Sequence, residues 1–275
     1  MSETVFLKLG GSLITDKTQR ETARLDVLAR LAGEIAQARA ERPALRLLVG
    51  HGSGSFGHFA GREYGTRGGI VAGAEARSWY GYAATGAAAA RLNRLVTDAM
   101  LAAGLPAVAF QPSASAACEA GELRRLAWEP IAQALGAGLL PIVYGDVALD
   151  SRQGCTIIST EQIFAYLARH LAPARILLAG VVDGVFDSDP LRQPAARRLP
   201  RLRAADVLAG AAEPALGGSH GVDVTGGMAS KVREMAALAA EMPGLVVQFL
   251  SGEPAGQVRR ALLEPAAEIG TRLAA

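Results

Sequence analysis

Short runs of Val, Ile and Leu recur along the chain, and longer segments with helical periodicity separate them. The apolar runs lie at residues 5–9, 45–49, 107–110, 139–144, 176–178 and 245–250. The segments with apolar residues at helical spacing are 25–40, 75–103, 161–171, 204–208 and 227–241. Buried strands that alternate with helices form sheets with both faces covered. The pattern therefore predicts an α/β fold with a mostly parallel sheet between two helical layers.

Two segments interrupt this alternation. Residues 118–126 and 184–199 are rich in turn-forming residues and contain only short apolar stretches, so we expect hairpins or excursions from the main sheet there. In open α/β sheets, ligands bind beyond the carboxyl ends of the strands, where loops and helix N-termini meet. The glycine-rich segments of this chain follow predicted strands, which places the candidate chemistry at that edge.

The composition limits the class of protein and its partners. The 275 residues, half of them hydrophobic, are enough for one domain or for two closely joined lobes. The net charge is +2, so there is no overall basic field to attract nucleic acid. The arginine-rich stretch at 197–203 has no interleaved aromatic residues for base stacking, and we interpret it as solvated surface.

Cysteine usage and the lack of targeting signals favour a cytoplasmic location. Cys118 and Cys155 form neither a CxxC motif nor a cluster with metal-ligand spacing. The sequence shows no basic segment followed by an apolar one at its start, and no later stretch is long enough to span a bilayer. We therefore expect neither secretion nor membrane insertion.

The first predicted strand leads into KLGGSLITDK at residues 8–17. Lys8 is followed by Gly10, Gly11 and Ser12, whose small size lets backbone N–H groups approach a polyphosphate closely. The segment is not a Walker A motif, because GxxxxGK[ST] is absent. Taken alone, a strand followed by a tight turn explains it equally well.

The second predicted strand leads into HGSGSFGHFAG at residues 51–61, with four glycines and two serines before the helical pattern resumes. Backbone and hydroxyl donors in such a turn can hold an anion, and His58 can donate a hydrogen bond to a phosphate or carboxylate. A structural histidine is the commoner explanation when His58 is considered alone. Its place in a glycine-rich turn between strand and helix favours a binding role.

A third glycine-rich segment, DVTGGMASKV at residues 223–232, places Gly226 at the start of a predicted helix and Lys231 about one turn inside it. A helix N-terminus with a nearby lysine suits the phosphates of a nucleotide, although a capped helix with a surface lysine is the alternative. Three such segments with three lysines exceed what capping requires. They favour phosphoryl transfer, which depends mainly on neutralising charge.

Other enzyme classes find less support in the sequence. It contains no recognisable nucleophile motif of the Ser/His/Asp or Cys/His type, and no GxGxxG followed by the spaced acidic residue of a dinucleotide site. A non-catalytic nucleotide or metabolite sensor remains an alternative. A sensor binds phosphates but has no need to stabilise their transfer.

These three motifs, together with PIVYGDVALD at 141–150 and VVDGVFDSDP at 181–190, resemble the amino acid kinase superfamily, and within it the isopentenyl phosphate kinases. The resemblance implies a three-layer αβα sandwich with an open sheet. It also implies a single domain over residues 1–275, with an acceptor-binding lobe to about 170 and a nucleotide-binding lobe from about 171.

The reaction implied by the resemblance is transfer of a phosphoryl group from ATP, with Mg²⁺, to isopentenyl phosphate, which gives isopentenyl diphosphate and ADP. A homodimer is implied as well. A phosphonate such as fosfomycin, or another small acid, is the alternative acceptor. No residue is assigned to the metal ion.

The resemblance assigns roles to residues at matching positions. Lys8 contacts the transferring group, Lys17 stabilises the transition state, and Lys231 holds the ATP phosphates. The other implied nucleotide contacts are Gly10, Gly11, Ser12, Gly54, Asp183, Gly184 and Gly226. The implied contacts with the acceptor phosphate are Ser53, Gly54, His58 and Thr160.

Two positions depart from the family pattern. Residues 159–162 are Ser-Thr-Glu-Gln, where the family often has Ser-Gly-Asp-Asp. Glu161 keeps the acidic group that orients the lysines in related kinases, with one more methylene, and Thr160 replaces a glycine. HGSG replaces the more usual HGGG, so that Ser53 adds a hydroxyl near the acceptor phosphate.

An isopentenyl group also requires an apolar pocket. Trp79, Tyr80, Tyr82 and Ala83 lie in the long predicted helix at 75–103, where several of them can share one face. They are candidates for the lining of that pocket. An amphipathic core helix explains them nearly as well.

Overall fold

The computed structural model describes residues 3–190, 193, 195–210 and 227–275. Its strands are β1 (Thr4–Leu9), β2 (Arg46–His51), β3 (Ala107–Ala109), β4 (Ala117–Glu119), β5 (Glu122–Arg125), β6 (Leu140–Tyr144), β7 (Asp146–Asp150), β8 (Gly154–Ile158), β9 (Arg175–Gly180), β10 (Arg201–Arg203), β11 (Val246–Ser251) and β12 (Thr271–Ala274). Its α-helices are α1 (Gly11–Ile14), α2 (Leu25–Glu41), α3 (Gly54–Tyr64), α4 (Glu75–Ala102), α5 (Glu129–Gly136), α6 (Thr160–Leu171), α7 (Ala204–Leu208), α8 (Gly227–Glu241) and α9 (Gln257–Leu263). Every strand and helix predicted from the apolar pattern is present.

Among the described residues, eight strands form the main sheet in the order β10-β12-β11-β9-β1-β2-β6-β3. Neighbouring strands are parallel except for the β11–β12 pair, which is antiparallel. The prediction of a mostly parallel open sheet is confirmed. Because β9 pairs with both β1 and β11, the C-terminal strands extend the N-terminal sheet, and the lobe boundary near residue 170 stays a prediction.

The alternation of side chains along β1 divides the core between the two faces of the sheet. Val5, Leu7 and Leu9 belong to a hydrophobic cluster with residues of α2, α4 and α9. Phe6 points to the opposite face and belongs to a second cluster with residues of α6 and α8. Lys8 has the same parity as Phe6, so its side chain leaves the sheet on the side of α6 and α8.

A second, smaller sheet has the order β5-β4-β7-β8. It contains the hairpin predicted at 118–126, because β4 and β5 are antiparallel. A second hairpin, β7–β8, was not predicted, since its strands carry polar and acidic residues among the apolar ones. In the other predicted excursion, at 184–199, Phe186 and Arg198 form an isolated antiparallel bridge.

The glycine-rich segment after β2 is helical sooner than the sequence suggests. Helix α3 begins at Gly54, within the segment expected to be a turn, and runs to Tyr64. Glycine is a poor helix former, but α3 packs closely on its surroundings. A Cβ on Gly61 would lie 2.9 Å from the Ile157 side chain, so the missing side chain makes room for this packing.

Candidate active site

A narrow cavity of about 60 Å³ opens where β1 and β2 end. Its lining residues are Lys8, Gly11, Ser12, Lys17, Gly52, Ser53, Gly54, His58, Gly145, Ile157, Ile158, Ser159, Thr160, Glu161 and Lys231. Lys8, Lys17, His58, Glu161 and Lys231 are the five residues predicted to act in catalysis. All five are brought together here, with all the predicted acceptor contacts.

A wide cavity of about 390 Å³ adjoins the narrow cavity. The two share six lining residues: Lys8, Gly11, Ser12, Lys17, Glu161 and Lys231. The rest of the wide cavity is largely apolar and comes from the residue after β1, the ends of β9 and β11, the segment after β9 and the start of α8. Those residues are Gly10, Leu178, Ala179, Gly180, Val181, Val182, Met228, Phe249 and Leu250. The charged residues thus lie at the junction of a polar chamber and a larger apolar one.

Lys8 and Glu161 form a buried ion pair at that junction. The Nζ atom of Lys8 lies 2.5 Å from Oε1 of Glu161, and the two side chains are 9% and 3% exposed. Burial lowers the pKa of the Lys8 amine. Burial acts to raise the pKa of Glu161, but the positive charges of Lys8 and Lys231 outweigh it and hold the pKa of that carboxyl below its ordinary value. Glu161 is therefore a carboxylate that positions Lys8.

The N-terminus of α6 fixes the position of Glu161. Ser159 caps the helix by accepting a hydrogen bond from the Gln162 N–H at 3.0 Å, and the Gln162 side chain accepts one from the Ser159 N–H at 3.2 Å. This capping box orients the first turn. The Thr160 hydroxyl donates to the His51 carbonyl at 2.7 Å, which joins α6 to the end of β2. The Thr160 hydroxyl is thus engaged with the backbone, and its predicted acceptor contact stays a prediction.

The loop that carries Lys17 is held against α3 by hydrogen bonds. The Asp16 N–H donates to the Thr22 carbonyl at 2.9 Å. The Ser55 N–H donates to Oγ1 of Thr15 at 2.9 Å, and the Thr22 N–H donates to Oγ of Ser55 at 3.2 Å. The start of α3 therefore sets the position of Lys17 relative to His58.

The ends of β1 and β2 approach each other through glycine backbones. A Cβ on Gly11 would lie 2.6 Å from the Gly54 backbone nitrogen and 2.7 Å from its Cα. Gly54 has φ +50, in the left-handed region that favours glycine. A side chain at Gly11 would force the two segments apart, so they can be this close only without one.

The sequence of this chain matches a known protein family over most of its length. The model of the Amino acid kinase family matches residues 3–248. This chain belongs to the amino acid kinase family.

Two proteins and a crystal structure, all named isopentenyl phosphate kinase, are similar to nearly the whole chain. Isopentenyl phosphate kinase of Methanothermobacter thermautotrophicus is 39% identical over 94% of this chain and 95% of its own length. The enzyme of Haloferax volcanii is 36% identical over 93% of this chain and 98% of its own. A crystal structure of isopentenyl phosphate kinase superposes with a TM-score of 0.83 at 35% identity, covering 98% of this chain and 99% of that one. The predicted amino acid kinase fold is confirmed.

The use of lysine in this family member is confined to the site. The sequence contains three lysines, Lys8, Lys17 and Lys231, and all three line both cavities. The other basic residues, apart from the histidines, are arginines. Lysine is a compact point charge on a flexible stem, whereas arginine is a rigid planar fork. The flexible point charge of lysine suits a phosphoryl group that moves between two positions.

His51 is a residue of the site that the sequence interpretation missed. It is fully buried, its Nδ1–H donates to the Gly52 carbonyl at 3.0 Å, and its Nε2 accepts from the Asn93 amide at 3.1 Å. Tyr144 stacks on its ring at 5.4 Å. Burial lowers the pKa of His51 to about 4, with the Lys8 charge acting in the same direction. A neutral ring thus holds the Gly52 carbonyl beside the cavity.

We expect His51 to make the protein less stable in acid. Its pKa is about 4 when folded and 6.5 in the unfolded chain, so the unfolded state binds more protons as the pH falls from 6.5 towards 4. The advantage of the wild type over His51→Gln in free energy of unfolding should shrink by about 2 to 3 kcal/mol between pH 7 and pH 4.5. Urea unfolding of both proteins at the two pH values measures this. A pH-independent difference would show that His51 titrates normally.

Glu234 is a second residue that the sequence did not reveal. It lies one turn after Lys231 on α8 and is half-buried. Burial, and then the negative charge of Glu161, raise the pKa of Glu234 to about 7. The lysine cluster is thus bordered by one carboxylate that stays ionised and by one that titrates near neutral pH.

Asp183 and Gly184, two predicted nucleotide contacts, line neither cavity. The Asp183 carboxylate accepts hydrogen bonds from Arg198 at 2.5 Å and from Gln257 at 2.9 Å. Gly184 has φ +110, and a Cβ there would lie 2.6 Å from Oγ1 of Thr271. Both residues fix the segment after β9, whose earlier residues border the wide cavity. Gly226, another predicted contact, lies outside the described residues.

Two of the aromatic residues of α4, Trp79 and Tyr82, share a face, with their ring centroids 6.0 Å apart. Trp79 and Tyr80 are 43% and 64% exposed, and Ala83 is exposed as well. Tyr82 is partly buried, and burial together with the Asp146 charge raises the pKa of its hydroxyl. None of the four lines the narrow cavity, where the apolar wall is Ile157 and Ile158 of β8. Of the candidates for an apolar pocket, only Tyr82 turns toward the protein.

In the part of the chain that the structure describes, no helix combines the length and hydrophobicity needed to cross a bilayer. No group of three or more His, Cys, Asp or Glu side chains in the same ranges is placed to hold a metal ion.

Proposed function

We propose that this protein transfers the γ-phosphoryl group of ATP to isopentenyl phosphate. One observation carries the proposal: Lys8, Lys17 and Lys231 line both the narrow and the wide cavity. A phosphoryl group that moves between two ligands needs positive charge at the junction of their sites. The similarity to proteins named isopentenyl phosphate kinase supports this acceptor.

In the proposed step, a phosphate oxygen of the acceptor attacks the γ-phosphorus of ATP. A new P–O bond forms, the bond to the β,γ-bridging oxygen breaks, and ADP leaves with that electron pair. The wide cavity takes the nucleotide, since its apolar walls suit an adenosine. The narrow cavity takes the acceptor phosphate, since its lining is polar. The products are isopentenyl diphosphate and ADP.

The side chains divide the work of charge neutralisation. Lys231, about one turn inside α8, holds the ATP phosphates. Lys8, positioned by Glu161, contacts the transferring group, and Lys17 stabilises the charge that develops in the transition state. Backbone N–H groups at Gly11 and Ser12 follow the path between the two phosphates. The N–H of Gly10 donates instead to the Ala179 carbonyl at 2.8 Å, so Gly10 borders the wide cavity without offering that donor.

The acceptor phosphate is bound by groups on the opposite wall. His58 donates to it from α3, and Ser53 and Gly54 offer donors at the start of that helix, where the helix dipole favours an anion. The backbone N–H of Thr160 is offered in the same way, because Thr160 is the first residue of α6 and the first N–H groups of a helix have no intrahelical acceptor.

We propose that Mg²⁺ binds together with the nucleotide, as the magnesium complex of ATP. Glu161 is the acidic residue among those that line the narrow cavity, and it is bonded to Lys8. The described residues thus do not provide a carboxylate set for the ion. We propose that Mg²⁺ is held by ATP phosphates and water, and no step above is assigned to it.

The assembly and the location are also proposals. We propose a homodimer, on the resemblance to the family alone. A cytoplasmic location is supported by the two cysteines, which are buried and free rather than joined in a disulfide.

A coupled assay of ADP release with Mg·ATP tests the proposed function. The acceptors to compare are isopentenyl phosphate, dimethylallyl phosphate, geranyl phosphate, fosfomycin, uridylate and acetylglutamate. The expected result is a kcat/KM for the five-carbon phosphates far above the others. Turnover only with another acceptor would keep the kinase and change the substrate. No turnover with any of them would favour a sensor.

Replacing His58 by alanine should chiefly impair use of the acceptor. The side chain lines the narrow cavity but not the wide one. We expect the acceptor KM to rise at least about tenfold, as for loss of a charge-assisted hydrogen bond, while the KM for ATP changes little. Steady-state kinetics with each substrate varied in turn measures this.

His170→Ala is a matched control for this variant. His170 lies at the far end of α6, is exposed, and stacks on Trp128. Its removal should leave both KM values unchanged. A normal acceptor KM and kcat in the His58 variant would refute the role of His58.

A further inference from the structure

A third cavity, the outer pocket, lies against the narrow cavity. It has a volume of about 170 Å³ and is lined by Lys17, Ser55, His58, Phe59 and Arg62. Lys17 and His58 also line the narrow cavity. These two side chains therefore form a wall with one face in each space, and the outer pocket lies directly beside the proposed acceptor site.

The outer pocket follows one face of α3. Ser55, His58, Phe59 and Arg62 have the spacing i, i+3, i+4, i+7, which places them on a single helical stripe. Along this stripe the exposure increases, from buried Ser55 through partly buried His58 to exposed Arg62. Four residues of α-helix rise about 6 Å, so the stripe leads outward from His58 to Arg62 in about one turn.

The chemistry of the pocket suits a small organic phosphate. Lys17 and Arg62 are cationic, His58 can donate a hydrogen bond, and Phe59, 37% exposed, offers an aromatic wall. Such a combination recognises an anionic head attached to a short alkyl group. Of the negative side chains nearby, Glu63 is bonded to Arg20 and Glu21 to Arg91, while the Asp16 carboxylate accepts hydrogen bonds from Thr18.

We propose that the outer pocket is an entry site, in which an alkyl phosphate is captured by Arg62 before its head passes Lys17 and His58 into the narrow cavity. This inference rests on the proposed function, because it concerns the acceptor of that reaction. Arg62 acts on capture and does not touch the reacting atoms. A purely structural alternative exists, since a basic residue in the last turn of α3 interacts favourably with the helix dipole.

Kinetics of Arg62→Gln test the proposal. One positive charge within a Debye length of a dianion changes its capture by roughly fivefold at low salt. We expect kcat/KM for isopentenyl phosphate to fall about fivefold at low ionic strength, with kcat and the KM for ATP within about twofold of wild type. The difference should vanish at high salt, and Arg62→Lys should restore most of the loss.

Arg46→Gln provides the matched control. Arg46 is exposed at the start of β2, about 16 Å along the strand from His51. The Arg46→Gln substitution removes one positive charge, as Arg62→Gln does, at a position away from the outer pocket. If Arg62→Gln and Arg46→Gln give the same acceptor kcat/KM and the same salt dependence, the proposal of an entry site is wrong. A lower melting temperature for Arg62→Gln without an acceptor-specific loss would assign Arg62 to helix stability alone.

Binding without chemistry separates this inference from the proposed function. The association rate of isopentenyl phosphate in the absence of ATP can be obtained from ³¹P line shapes for the wild type, Arg62→Gln and Arg46→Gln. Slower association only in Arg62→Gln supports the entry site even if the wild type shows no turnover. Unchanged association would overturn it even if the wild type is active, and no binding by the wild type would overturn both.

Discussion

Lys17→Ala is expected to lower kcat by about 10²- to 10³-fold while the KM for ATP changes by no more than about threefold. The side chain lines both cavities at their junction, where charge develops as the phosphoryl group moves. Loss of one group that stabilises only the transition state has an effect of this size. Steady-state kinetics at saturating acceptor measures kcat, and variation of ATP measures its KM.

Arg20→Ala is the matched control for the lysine variant. Arg20 lies three residues after Lys17, is paired with Glu63, and has a side chain that is 56% exposed. The Arg20→Ala substitution removes a positive charge from the same loop, and Arg20 lines neither the narrow nor the wide cavity. Its kcat should stay within about twofold of wild type. If Lys17→Ala turned over normally, Lys17 would have no part in the transfer step.

Glu161→Gln is expected to affect both stability and the pH profile. Breaking a buried ion pair leaves an uncompensated charge and costs about 3 to 5 kcal/mol, and Lys8 becomes that charge. Without the carboxylate the pKa of Lys8 falls further, because Glu161 is what raises it against burial. Lys8 then loses its proton at a lower pH. We expect a lower free energy of unfolding and an alkaline limb of kcat/KM shifted to lower pH.

Urea unfolding and a pH–rate profile measure these two effects, with Glu241→Gln as the control. Glu241 is exposed on the last turn of α8 and paired with Arg169, so its loss should cost less than about 1 kcal/mol and leave the profile in place. An alkaline limb that stays in place in Glu161→Gln would mean that Lys8 does not set it.

The sequence predicted the main sheet well because its central strands are buried on both faces. A run such as residues 5–9 is then almost continuously apolar. The β7–β8 hairpin was missed for the opposite reason, since Asp146 and Asp150 interrupt the apolar pattern and are satisfied by backbone N–H donors from other segments. Helix α3 was missed because glycines that serve tertiary packing obscure its periodicity.

The candidate site was predicted to a large extent from spacing and family resemblance, and the three lysines, His58 and Glu161 lie together. What spacing could not show was how the side chains pair. The contact between His51 and Asn93 joins residues that are 42 positions apart, and the Lys8–Glu161 contact joins residues 153 apart. For Asp183 a motif match suggested a ligand contact, whereas the structure gives its carboxylate protein partners.

The confinement of lysine to the junction of the two cavities has a practical consequence. Every ε-amino group of this chain lies where the substrates are proposed to meet. Reagents that acylate or reductively alkylate lysines would therefore mark this junction and leave the arginine-rich exterior unmodified. The protection that each substrate gives against such labelling would map occupancy of the site without any assay of turnover. Attachment to a support through lysine side chains would block the same site.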